Sequence, residues 1–137
     1  MGGALALGAG LWWSGCASNS GFEPIVACAD TQSVQVHVTT GDAIRFTWAP
    51  GCGMSSIQVW ADTGMSAAWV VYSGSHAAEN PLPSGIVYGQ LPPEGVAPGG
   101  AHPLAHGRTY HVTVYRWVGP PGGPGSIFQR GSAGFTP

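Results

Sequence analysis

Five histidines and three cysteines are the side chains of this sequence with the widest chemical reach. His102, His106 and His111 stand in the pattern H-x3-H-x4-H. A zinc centre needs three or four such ligands converging on one point. Pro103 and Gly107 break any helix that would align them. The alternation around His111 places it on a strand, so the spacing predicts solvated histidines and no metal. His37 falls on a different strand. Cys52 sits in Gly51-Cys52-Gly53 without the neighbouring base that a nucleophilic thiol requires. Asp30, Asp42, Asp62, Glu79 and Glu94 stand singly, mostly beside turn residues. Paired-carboxylate hydrolysis needs two of them within about 5–10 Å. No Gly-x-Ser-x-Gly elbow, phosphate loop or His-Glu-x-x-His occurs. These residues predict no enzyme and no cofactor. A hydrolase or metal-dependent enzyme stands last among the readings.

Composition narrows the choice further. Only 7% of the 137 residues are charged, and the four cations are all Arg, at 45, 108, 116 and 130. Nucleic-acid binding needs clustered cations that displace counterions from phosphates. The scattered arginines exclude that class. Gly (23) and Pro (12) are abundant, but 44% hydrophobic content and six Trp supply a core.

The elements that would position side chains are strands. Val34, Val36 and Val38 alternate with polar residues, as do Ile44, Phe46 and Trp48 after the turn at Thr40-Gly41-Asp42. Facing Val38 with Ile44 and Val36 with Phe46 makes these two runs a hairpin. A second pair covers residues 56–61 and 67–73, with Ile57, Val59, Trp69 and Val71 inward. A short strand at 86–90, one from Tyr110 and a last one at 126–135, broken at Gly131, complete seven. Residues 91–103 read as a Pro/Gly-rich loop.

Leu104-x-x-Gly107-x-x-Tyr110-x-Val112-x-Val114 resembles the sixth strand of fibronectin type III and related immunoglobulin-like sandwiches. There a turn is held by the hydroxyl of a half-buried tyrosine, the tyrosine corner. The strand ending in Phe46-Thr47-Trp48 resembles the second strand of the same family, whose Trp anchors the core. The resemblance covers residues 30–137 and implies an all-β fold: a single seven-stranded antiparallel immunoglobulin/fibronectin III-like sandwich. Trp48 and Tyr110 are its structural core residues. In that topology the strands of Trp60 and Tyr115 are neighbours, which gives an outward face of Trp60, Tyr72, His111, Tyr115 and Trp117.

At the N-terminus an apolar run at residues 4–13 is too short to span a bilayer and fits a secretory signal. Trp13-Ser14-Gly15-Cys16 resembles the lipobox of bacterial lipoproteins, although the first residues lack a cation and Trp13 stands where that family usually has Leu. The resemblance implies a signal peptide at 1–15 and a lipid on Cys16. It further implies a tether at 16–29, anchoring in the bacterial cell envelope, and the outer membrane if the cell has one. With Cys16 lipidated, Cys28 and Cys52 remain. Extending the hairpin ladder downward brings them near each other, which predicts a disulfide.

The expected function is that of a membrane-anchored envelope lipoprotein: a non-catalytic interaction or structural β-sandwich module. Its partners are the membrane, through Cys16, and an envelope protein or polysaccharide. The alternative is a carbohydrate-binding module that uses the outward aromatic face.

Overall fold

A computed structural model of the chain describes residues 21–120 and 123–137. The expected signal segment and Cys16 lie outside the described residues. Two antiparallel sheets carry the fold. In chain order the strands are β1 (Gln35–Thr39), β2 (Arg45–Ala49), β3 (Ser56–Ala61), β4 (Ala67–Ser73), β5 (Ile86–Val87), β6 (Gly95–Val96), β7 (Tyr110–Val118) and β8 (Ser126–Phe135). One sheet has the order β1-β2-β5, and the other has β6-β4-β3-β7-β8. Period-2 alternation builds the space between them. Phe46 and Trp48 from the small sheet meet Ile57, Val59, Trp69, Val71, Val112 and Val114 from the large one, all buried. Phe135 closes the core between Phe46 and Tyr110, with ring centroids 5.5 and 5.8 Å away.

The strand count is eight among the described residues, not seven. The extra strand, β6, lies inside the stretch read as a loop. It pairs with Tyr72 and Ser73 only. Continuing that register would set Pro98 against Val70, and Pro has no N–H to donate, so the ladder stops. The strand expected at 86–90 shrinks to Ile86–Val87. The first hairpin also differs. Val38 faces Phe46 and Val36 faces Trp48, two residues beyond the expected register. The turn is longer than its Gly-Asp signal implied, and Ile44 falls within it.

At the corner before β7, the Tyr110 hydroxyl accepts a hydrogen bond from the Ala105 N–H at 2.8 Å. Gly107, at φ +81°, makes the turn between them, a conformation side chains rarely adopt. The core tryptophan is likewise tied. Trp48 is 1% exposed, and its indole N–H donates to the Cys52 carbonyl at 2.7 Å.

β8 is continuous through Gly131, but the β7–β8 register shifts beside it. There the sandwich edge closes: the Val34 N–H donates to the Arg130 carbonyl at 2.8 Å. A Cβ on Gly131 would lie 2.5 Å from the Val34 carbonyl oxygen. Gly131→Ala is therefore expected to lower stability by about 1–3 kcal/mol, read as a reduced denaturation midpoint with unchanged m-value.

Cys28 and Cys52 form a disulfide. The route is not the extended hairpin ladder. Residues 21–30 run along the domain as a strap, and Val26 bridges Cys52 in parallel. The Glu23 N–H donates to the Ser84 carbonyl at 2.9 Å and the Val26 N–H to the Gly51 carbonyl at 3.0 Å.

Candidate functional site: an aromatic sheet face

The outer side of the large sheet is read from its registers. Ile57, Val59, Val112 and Val114 face the core, so residues of opposite parity face out. One row crosses the sheet as Val96, Tyr72, Ser56, Tyr115 and Gln129. A second holds Val70, Gln58, Thr113 and Ser132, and a third holds Trp60, His111 and Gly134. Trp117 and Ile127 extend the face at the far end of β7.

Four of the five expected residues lie together on it. Tyr72 is 45% exposed, and Tyr115 is partly buried two strands away. Trp60 is half-buried, its indole N–H donating to Gln58 Oε1 at 3.0 Å. His111 lies opposite Trp60, and its Nε2 contacts the Asp62 carboxylate. The fifth, Trp117, is on the same face but packed. A Cβ on Gly125 would lie 2.5 Å from the indole ring, and the indole N–H is buried without a partner. The Asn80 side chain clamps the Trp117 backbone, accepting from its N–H at 2.6 Å and donating to its carbonyl at 3.0 Å. Trp117 is thus held as an edge of the platform.

Sequence reasoning missed three contributors. Val96 and Ile127, each 45% exposed, widen the apolar area. Ser56 lies between Tyr72 and Tyr115, 1% exposed, its hydroxyl without a hydrogen-bond partner. Alternation alone marks Ser56 and Ile127 as outward, whereas Val96 carried no strand signal. None of the residues in these rows is Asp, Glu, Lys or Arg.

Other sites offer less. Among the described residues, no three His, Cys, Asp or Glu side chains gather at metal-binding distance. His102 and His106 are exposed in the loop and turn before β7. A cavity of about 430 Å³ opens between the β1–β2 turn and the loop at Pro103, with Asp42 and Tyr88 as its ionisable lining. That pair is not an acid–base couple. The Tyr88 hydroxyl contacts the carbonyl oxygens of His102 (2.5 Å) and Ala68 (3.2 Å).

Burial, and then the nearby Tyr110, push the Tyr88 phenol up to about 12. In the unfolded chain it ionises at its ordinary value of 10.0. The phenol's contribution to stability is fully present below pH 10, and is lost as pH rises from 10 to about 12. Urea midpoints across that range are expected to fall less steeply for Tyr88→Phe than for the parent.

Compared with known proteins, the chain matches no family model, no curated protein and no solved structure.

Proposed function

We propose that this chain is a lipid-anchored bacterial envelope lipoprotein whose β-sandwich is a non-catalytic interaction module. The working surface is the outer face of the large sheet. The observation that carries the reading is the set Trp60, Tyr72, Tyr115 and Val96 on one sheet face, in rows that hold no Asp, Glu, Lys or Arg. Exposed aromatic and apolar side chains gathered on one uncharged sheet face mark a contact site by default. Aromatic rings favour such sites because they are rigid and cover much area.

The fold is read as fibronectin III-like. Setting the two-residue β6 aside leaves three strands facing four, and the tyrosine corner precedes the penultimate strand. The lipid anchor rests on the resemblance of residues 13–16 to a lipobox. The Cys28–Cys52 disulfide accords with export and leaves Cys16 as the one thiol outside it.

A glycan is the second reading, favoured by two features. Tyr72 and Tyr115 lie two strands apart, about 9–10 Å, so two rings of an extended neutral polymer can stack at once. Uncharged Gln58, Thr113 and Ser132 border that row.

Trp60→Ala and Tyr72→Ala test the reading. Each is expected to weaken binding to cell-wall polysaccharide or to an envelope protein by about thirtyfold, the consequence of losing about 2 kcal/mol at an interface centre. The melting temperature should barely change. Unaltered binding by both variants would contradict the assignment of this face.

A further inference from the structure

The four arginines are far apart in sequence, yet three of them hold the same ten-residue strap. Arg45 donates to the Gly21 carbonyl at 3.0 Å and to the Gly85 carbonyl at 3.1 Å. Arg116 donates to the carbonyls of Cys28 (3.2 Å) and Ala29 (3.4 Å). Arg130 donates to the Asp30 carbonyl at 2.6 Å. The disulfide, the Val26–Cys52 bridge and the Glu23–Ser84 hydrogen bond fasten the strap between these grips. A carbonyl gripped by a guanidinium is a strong, charge-assisted acceptor. The strap is thus held at both ends and in the middle, and it does not swing as a tether.

The strap also has a direction. Its first residue, Gly21, lies against Gly85, where an added Cβ would come within 2.4 Å of the Gly21 carbonyl oxygen. Gly85 immediately precedes β5, the edge strand of the small sheet. Arg45 belongs to β2 of that sheet, and its parity is outward, opposite to Phe46 and Trp48. The chain therefore enters the domain at the small sheet's edge. The aromatic face belongs to the other layer, across the core.

Resting on the lipid-anchor reading, we infer that the domain lies on the bilayer with its small-sheet side towards the lipid headgroups, and the aromatic face turned away. Only five residue steps separate Cys16 from Gly21, a reach of at most about 17 Å. A domain of two sheets packed about 10 Å apart, with side chains on both outer faces, turns over only if this segment is pulled fully straight. The strand residues of the small sheet suit this contact. None is acidic, and its outward positions carry Gln35, His37, Thr39, Arg45, Thr47, Ala49 and Val87. Anionic headgroups meet no carboxylate from these strands. The aromatic face is left free for a partner on the far side.

The test uses the mature chain, residues 16–137, coupled through the Cys16 thiol to a maleimide phospholipid in nanodiscs containing a gadolinium-chelate lipid. Coupling by this route reads orientation whether or not cells acylate Cys16. Acylation is read separately, from the mass of the N-terminal peptide, so the two ideas fail independently. Amide signals of His37 and Thr47 are expected to be attenuated at least threefold more than those of Gln58 and Thr113. Equal attenuation, or the reverse order, would overturn the orientation. In a variant carrying Cys28→Ser, Cys52→Ser, Arg45→Gln, Arg116→Gln and Arg130→Gln, the free length up to Ser33 grows about threefold. The contrast between the two faces should then collapse. A contrast that survives strap release would overturn the strap as its cause.

Discussion

Trp48→Ala is expected to lower the melting temperature of the domain steeply, while Trp60→Ala barely changes it. Both side chains are tryptophans on strands, and their difference lies in which way the strand turns them. Trp48 is 1% exposed, faces the large sheet, and ties its indole N–H to the Cys52 carbonyl. Truncation leaves a ring-sized cavity between two sheets and an unsatisfied carbonyl beside the disulfide. Losses of about 3–5 kcal/mol follow from such cavities, against a total stability of about 5–15 kcal/mol for an ordinary domain. Trp60 is half-buried on the outer face, its indole N–H donating to Gln58, with His111 and Ala67 opposite it on the neighbouring strands. Its removal is expected to cost no more than about 1 kcal/mol. Thermal melts followed by circular dichroism separate the two cases. A Trp60→Ala variant that melts with Trp48→Ala would make the ring structural.

The second large effect concerns the disulfide. Replacing both Cys28 and Cys52 by Ser is expected to lower stability by about 3 kcal/mol, the loop-entropy value for a separation of 24 residues. The loss should concentrate in the strap. Amides of residues 26–30 should gain hydrogen exchange first, while those of β3 and β7 stay protected. Replacing one cysteine alone should be worse in an oxidising compartment, because the remaining thiol can cross-link to other chains. Equal stability of parent and double variant under non-reducing conditions would refute the role of the bridge.

Much of the fold was legible because it obeys period-2 alternation. Ile57, Val59, Trp69, Val71, Val112 and Val114 all read as inward, and all are buried. The tyrosine corner was legible because Gly107 and Tyr110 stand at fixed offsets, and the hydroxyl closes on Ala105. The β1–β2 register was not. Alternation says which residues share a face, not how many residues the turn consumes, and a slip of two preserves every face. The disulfide was predicted along a wrong path for the same reason: Cys28 arrives on the strap, parallel to Cys52. β6 had no signal, since two residues carry no period. The arginine grips on the strap were invisible, because guanidinium-to-carbonyl bonds span up to 100 residues and leave no pattern in sequence. On the candidate face, alternation placed Trp60, Tyr72 and Tyr115 correctly outward. It said nothing about Gly125 packing over Trp117.

The claim that the outer face of the large sheet is a contact surface is tested most directly by hydroxyl-radical footprinting. The protein is probed in native envelopes and again after purification. Met65, 99% exposed, serves as the internal reference, and Trp48 as the buried control. Tyr72, Tyr115 and Trp60 are expected to be oxidised in the purified protein and protected in the envelope, with Met65 oxidised alike in both. Equal oxidation of Tyr72 and Trp60 in both preparations would contradict it.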